Sequence, residues 1–386
     1  MVSIEYFRMF LNWKTGNSFD NKLLIKDNEL FKYDTTCGSR LNNNKEWLNM
    51  KIPDNSRRSF IAESIFIAAL IALNPLQNIY AESEKTESSE IQNVTGVKIT
   101  EAENKVTVEI NGQLFTEYCY KDGKRPYFYP LIGPTGVSIT RNWPMKDGEN
   151  EEKDHSHHRS LWYTHGSING IDFWTDGDRH GNVVHDKFLK IESGKDIGII
   201  QSQNKYITAD GKLICTDTRT HKIYNLPDAK MIDFEITFHA SEGQVVLGDT
   251  KEGSMALRLA PTMRLKGQVG QGHIINSEGI KDGNTWGKLA SWCDYYGPIN
   301  GETVGVAIFN NPNNPKNPTW WHVRDYGLFA ANPFGVSDFE RKPKGTGNIT
   351  IPEGESLTFK YRIYIHKGDN EQGKVAQRYK EYSEGS

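Results

Sequence analysis

Six of the eleven histidines fall between residues 155 and 185: His155, His157, His158, His165, His180 and His185. They lie in Asp154-His-Ser-His-His-Arg-Ser-Leu-Trp-Tyr-Thr-His165-Gly and in the polar stretch after Ile168-Asn-Gly-Ile-Asp172-Phe-Trp174. Imidazole gains or loses a proton near neutral pH and is also the commonest metal ligand. Such density therefore points to acid–base work or to ligation. Read as extended chain, 154–164 puts His155 and His157 on one face together with Arg159, and His158 on the other. A guanidinium in that place suits a carboxylate or sugar hydroxyls. A second concentration is Pro318-Thr-Trp-Trp-His-Val-Arg-Asp-Tyr-Gly327. There His322, Arg324 and Tyr326 alternate with Val323 and Asp325, so one strand face carries an imidazole, a guanidinium and a phenol, with Trp320 and Trp321 just ahead. Flat rings beside hydrogen-bonding groups suit a sugar, whose C–H faces are apolar while its hydroxyls need partners. His366 follows Arg362 and Tyr364 on the non-core face of the last strand, a third polar row if that face lines a cleft.

In the acid–base reading, His157 or His158 and His322 exchange protons with the substrate, and Asp172 or Asp325 orients an imidazole and stabilises its charged form. Arg159 and Arg324 hold the substrate or neutralise a developing oxyanion. Trp162, Trp174, Trp320 and Trp321 supply stacking surface, and His165 and His366 complete the binding set. A non-catalytic glycan-binding protein needs the rings and arginines but no titrating histidine. A metal reading uses His155, His157 and His165 as ligands of copper or zinc. No cofactor is demanded, and a divalent metal is the alternative, because no His-x-x-x-His helix pattern or cysteine set decides between ligation and proton transfer. Thr175-Asp-Gly-Asp-Arg-His180-Gly has two carboxylates but lacks the remaining spaced ligands of a calcium loop, and reads as a turn. There is no Gly-x-Ser-x-Gly elbow, phosphate loop or dinucleotide fingerprint, and no carboxylate pair stands out by spacing as a glycosidase acid and nucleophile.

Many short strands are expected to position these groups. The chain has 386 residues with 35 Gly, 15 Pro, 17 Tyr, 17 Phe and 9 Trp, a mix of turn formers and large rings that favours strands over long helices. Val106-Thr-Val-Glu-Ile110, Asn111-Gly112 and Gln113–Tyr118 form the strongest short-range hairpin signal. Ile232–Phe238, Met255–Leu259 and Leu357–Ile365 alternate cleanly, and 373–382 is the one helical pattern. No βαβ alternation and no fixed repeat appear. One large antiparallel sandwich over 94–386, all-β with a short C-terminal helix, is the expected fold. A net charge of −3 gives no field to attract nucleic acid, and four cysteines are too few for a disulfide scaffold. Cys119, Cys215 and Cys293 read as buried structural residues.

Asn55-Ser-Arg-Arg-Ser-Phe-Ile61, the short apolar run Ile65–Leu73 and Ile79-Tyr-Ala81 read as a cleavable export signal over 50–81, cut after Ala81. Arg57-Arg58 points to the twin-arginine route, hence to the periplasm or exterior of a bacterium. Residues 1–49 read as a non-native or disordered extension, since Met50 makes a natural start, and 82–93 as a flexible leader. No stable membrane span is expected after cleavage, because the apolar run is too short.

Several motifs resemble the bacterial family filed as PmoA-like, often labelled methane oxygenase. They are Gly133-Pro134, Ser138-Ile-Thr-Arg141, Asp154-His155-x-His157-His158-Arg159-x-Leu161-Trp162, His165-Gly166 and Gly170-x-Asp172-Phe-Trp174. Trp292-x-Asp294-Tyr295 with Gly297, Thr319–Gly335, Gly354-Glu-Ser-Leu, Tyr361-Arg362 and His366-Lys367-Gly368 extend the resemblance over roughly 105–370. What the family label implies is an oxidoreductase with copper or zinc on histidine; it assigns no catalytic residues. A β-rich exported chain with rows of His, Arg and Trp also looks like the galactose-mutarotase-type supersandwich, an analogy of fold alone. The function expected is an exported carbohydrate-active enzyme, an epimerase, lyase or hydrolase, acting on a small-molecule or oligosaccharide substrate.

Overall fold

The computed structural model describes residues 95–385, together with the backbone of a short antiparallel hairpin, β1 (Leu24–Lys26) and β2 (Glu29–Phe31). The expected signal and leader lie outside the described residues, as does the extension apart from that hairpin. Contacts divide the chain at residue 88, and the second unit holds the sandwich.

Two antiparallel sheets make it. The larger has nine strands in the order β15 (Leu289–Ala290), β18 (Thr319–Val323), β19 (Leu328–Asn332), β13 (Gly253–Arg258), β7 (Leu161–His165), β6 (Tyr127–Leu131), β5 (Gln113–Cys119), β4 (Lys105–Ile110) and β3 (Val97–Glu101). The smaller has eight, in the order β14 (His273–Asn276), β16 (Trp292–Ile299), β17 (Glu302–Asn310), β21 (Ser356–Lys367), β11 (Lys230–His239), β10 (Leu213–Asn225), β9 (Ile197–Ile207) and β8 (Asn182–Glu192). A two-stranded pair, β12 (Val245–Leu247) with β20 (Ile349–Ile351), and two helices, α1 (Val336–Glu340) and α2 (Val375–Glu384), complete it. The architecture is the expected all-β antiparallel sandwich with a C-terminal helix.

Alternation explains why these segments are strands. Along β21, Phe359, Tyr361, Ile363 and Ile365 enter the core while Lys360 and Arg362 stay outside. The Asn111-Gly112 turn has φ of 52° and 75°, the pair of positive values that a two-residue hairpin needs and that Asn-Gly adopts most easily. The inner faces meet in one continuous core, to which the larger sheet gives Leu161, Tyr163, Met255, Leu257, Trp321 and Phe329. Trp162, Ala256, Leu328 and Ala330 belong to a separate cluster with Tyr127 and Trp174, so they mark the outer face of the larger sheet.

The core is not wholly apolar. The carboxylate of Asp217 accepts from Asn204 Nδ2 at 2.6 Å, Tyr206 Oη at 2.8 Å and Arg219 Nε at 2.9 Å, all four residues being buried. Those bonds offset the large cost of taking two charges out of water. Nearby, His221 lies among the rings of Tyr118, Phe128 and Phe234, and neither of its nitrogens has a partner among the described residues.

Candidate functional site

Residues 154–160 are not extended, which corrects the expected alternation. His158 N–H donates to the His155 carbonyl at 2.9 Å, closing a turn in which His155 has φ 40° and Ser160 φ 53°. The turn gathers three imidazoles instead of sending them to opposite faces. His155 stacks on His158 with centroids 4.8 Å apart, and His157 meets His158 edge-on at 4.3 Å. His158 in turn lies over Trp162 at 5.4 Å, and Trp162 contacts Trp174 at 5.2 Å. On its other side His155 stacks on Tyr326 at 5.4 Å. Tyr326 lies in the turn joining β18 to β19, where Arg324 N–H donates to Leu328 O and Gly327 N–H to Arg324 O. The two stretches singled out in the sequence therefore touch through aromatic rings.

Sheet register places His322 on the same face. Tyr127 pairs with Trp162, Trp162 with Ala256, Ala256 with Ala330, and Ala330 with His322, a single row across five strands. Three strand spacings separate Trp162 from His322, about 14 Å at the usual interval.

Asp154 anchors the turn. Its carboxylate takes Arg141 Nη1, Arg258 Nη2 at 3.1 Å and His155 Nδ1 at 2.6 Å. Burial works to raise its pKa, but the charge of Arg258 and the bonds from His155 and Arg141 overcome this and hold it at about 2. The imidazoles move the other way. Burial, then the charges of Arg125 and His155, push His157 down to about 4. His158 falls well below the ordinary histidine value, through burial and then the charges of His157 and Arg258. Burial brings His322 to about 4, opposed chiefly by the carboxylate of Glu252. Glu252 also acts on His157 and on Tyr326, so one carboxylate reaches both histidine stretches.

Partners fix the tautomers of the neutral rings. Arg258 Nη1 lies 3.0 Å from His158 Nδ1, and a guanidinium only donates, so His158 carries its proton on Nε2. His322 Nδ1 lies 2.7 Å from the Lys251 carbonyl, which only accepts, so its proton is on Nδ1 and Nε2 keeps the lone pair. Neither Nε2 has a partner among the described residues. One imidazole offers a donor and the other an acceptor.

A family model described as a family of unknown function (DUF6807) matches residues 105–380. The chain belongs to the DUF6807 family. No curated protein matches it. Among solved structures it is similar to a galactose mutarotase-like protein from Lactobacillus casei ATCC 334, with 10% identity and a TM-score of 0.27 over 70% of this chain and 100% of that one. A putative aldose 1-epimerase from Escherichia coli K12 gives 13% identity and a TM-score of 0.25 over 70% and 99%. The GH36 alpha-galactosidase AgaB from Geobacillus stearothermophilus gives 11% and 0.31 over 71% of this chain, which spans only 40% of that longer enzyme. Likenesses of this depth carry no argument about chemistry.

Within the DUF6807 region the remaining sequence-designated residues separate into groups. Arg159 lies over the Tyr127 ring at 5.5 Å with Asp122 at 3.9 Å, at the edge of the histidine cluster. Asp172 does not orient His157, His158 or His322. It accepts the backbone N–H groups of Trp174 at 2.6 Å and Thr175 at 3.1 Å, shaping the 172–180 loop, with His180 Nδ1 at 3.9 Å. Asp325 is turned to Lys266 Nζ at 3.1 Å. Trp321 faces the core and donates from Nε1 to Ala290 O, because strand alternation puts it opposite His322. Trp320 stays on the outer face and donates to Glu340 Oε1 at 3.0 Å. His165 points inward like Tyr163, packs on Phe334 at 4.3 Å and has Nε2 on Gly248 O at 2.7 Å. The expected ligand set His155, His157 and His165 is therefore split between two faces. Among the described residues, no group of three or more His, Cys, Asp or Glu is disposed to hold a metal ion.

His366 corrects the expectation of a third row. It belongs to the smaller sheet's outer face, on the far side of the sandwich, with Nε2 3.2 Å from buried Asp294 Oδ1. A cleft of about 280 Å3 opens on that face beside Tyr224, Asp233 and Arg362. Its polar groups answer one another, since Arg362 makes a two-pronged bond to Asp233 at 2.5 and 2.8 Å. The cluster of imidazoles lies against the larger sheet instead, over Trp162. Asp154, Arg258 and Glu252 were the residues that sequence reasoning passed over. Only Arg258 had a signal, as the polar position within the alternating 255–259 run.

Proposed function

We propose that this DUF6807 member is an exported carbohydrate-active enzyme, an epimerase, lyase or hydrolase that moves protons with histidine. One observation carries the reading: the stretches that hold His157 and His322 meet where the rings of His155 and Tyr326 stack 5.4 Å apart, and sheet register puts His322 on the same outer face as Trp162. In the proposed step His322 Nε2 takes a proton from the substrate, and Glu252 stabilises the imidazolium that forms. The Nε2–H of His158 donates to the oxygen on which negative charge develops. Trp162 and Trp174 are fully buried, so they back the imidazoles instead of offering a sugar the stacking surface expected of them.

Single replacements His157→Ala and His322→Ala test it on a panel of oligosaccharides. Each is expected to lower turnover by about 10²–10⁴-fold while glycan binding survives. Unchanged turnover in both variants discards the assignment. A second reading, a glycan-binding protein without turnover, is favoured by the depressed imidazoles. With values near 4 for His157 and His322, binding would barely depend on pH between about 5 and 8. Flat binding with no product from any sugar decides for it.

Export is part of the proposal, supported by Arg57-Arg58 and the apolar run that follows. N-terminal sequencing of the secreted protein is expected to begin at Glu82; secretion with residues 50–81 retained ends that part.

A further inference from the structure

Arg324 differs from the other arginines of this face. Arg125 pairs with Asp176 at 2.9 Å, Arg141 and Arg258 share Asp154, Arg264 meets Glu152, and Arg159 has Asp122 at 3.9 Å. The guanidinium of Arg324 has no carboxylate or carbonyl partner among the described residues. It is half-buried and lies over two rings, Tyr326 at 5.6 Å and Trp286 at 5.8 Å. Its neighbour Asp325 is engaged with Lys266 and leaves it unneutralised. Glu252, the carboxylate that acts on the same region, is engaged by Lys251. The charge of Arg324 bears on both His322 and Tyr326, so an anion held on its fork would stand beside the proposed base.

Nε2–H of His158 adds a donor without an acceptor among the described residues, whereas Trp162 Nε1, Trp174 Nε1 and Arg258 Nε are wholly enclosed and out of a ligand's reach.

We propose that the substrate is an anionic sugar whose charged group is received by Arg324. This rests on the carbohydrate reading and adds the charge of the substrate to it. A planar guanidinium set against flat rings keeps its fork pre-organised, and such forks bind carboxylates and the oxygens of phosphate or sulfate esters in two-pronged fashion. A sugar acid places that group next to the ring carbon from which a proton is removed, so the same cation would steady the negative charge left behind.

The test is calorimetric binding to the full chain of glucuronate, galacturonate and mannuronate, each against its neutral methyl ester. Glucose 6-sulfate and glucose 6-phosphate against glucose separate the ester anions from the carboxylate. Wild type is expected to prefer one acid class over its neutral counterpart by about tenfold or more, the range of one charge-assisted two-pronged bond. Arg324→Gln should bring that ratio close to one, and Arg324→Lys should keep part of it. Equal binding of charged and neutral forms overturns the proposal while leaving the carbohydrate reading in place, as does a ratio that survives Arg324→Gln. Binding of none of these sugars, charged or neutral, removes the carbohydrate reading and this inference with it.

Discussion

Acidification from pH 7 to pH 5 is expected to destabilise this protein steeply, well before its carboxylates titrate. His158, His165, His221 and His322 are 1%, 0%, 0% and 3% exposed. Burial depresses all four, to about 4 for His165 and His322 and well below the ordinary value for His158 and His221. In the unfolded chain each accepts a proton near pH 6.5. Between roughly pH 6.5 and 4 the unfolded state therefore binds more protons than the folded one, so stability is present above that window and is lost as pH falls through it. Each imidazole contributes up to about 1.4 kcal/mol per pH unit, and four approach about 5 kcal/mol per unit near pH 5. His366 has the opposite sign. Burial opposes its charge, but Asp294 more than compensates and raises its pKa, so it loses stability only as pH rises above the histidine range. Urea midpoints measured from pH 4.5 to 8 are expected to peak near neutrality and fall sharply on the acid side; a flat profile between pH 5 and 7 contradicts the burial of these rings. His221→Phe gives the control. Neither nitrogen of His221 has a partner among the described residues, so no hydrogen bond to them is lost, and an apolar ring suits its cage of Tyr118, Phe128 and Phe234. The variant is expected to match wild type at pH 7 and to lose one imidazole's share of the acid slope, up to about 1.4 kcal/mol per pH unit, His157 adding its own share to those of the four enclosed rings.

What could be read in the sequence was whatever alternation and composition carry. Leu357–Ile365 and the Asn111-Gly112 hairpin state their faces residue by residue, so the sandwich was legible. The two chemistry-rich stretches were legible as densities, and the rows on β7 and β18 bring them together. The turn at 154–160 was hidden, because it depends on His155 adopting φ 40°, which no periodicity signals. His165 and Trp321 were misread for the opposite reason. Alternation was available for both, but nothing local says which face of a strand is inner when both are buried, as throughout Leu161–His165 and Thr319–Val323. Asp172 and Asp325 looked like partners for imidazoles only because they were close in sequence. Asp154, which does bond an imidazole, is the direct neighbour of His155, while Arg258 on β13 and Glu252 just before that strand come from afar. Pairing across about a hundred residues is decided by the sheet order, which local pattern does not contain.

Glu252→Gln is expected to lower turnover by about 10²–10⁴-fold without unfolding the protein. The change keeps the shape of the side chain and removes its charge, and Glu252 is partly exposed with Lys251 as its ion-pair partner, so little stability rests on it. Its importance to the proposed chemistry is electrostatic. His322 sits in a place that opposes its charged form, and Glu252 is the foremost group favouring that form. A base held neutral by burial accepts a proton only if something nearby steadies the cation, and without Glu252 the imidazolium of His322 would face the charges of Arg324 and Lys251 with only the Lys251 carbonyl to favour it. Loss of the carboxylate lowers the pKa of His322 further, so the acid limb of the pH–rate profile should move to lower pH as the maximum rate falls. Glu252→Asp, which keeps the charge and shortens its reach, should restore part of both. A purely structural Glu252 would lower the rate without moving the limb.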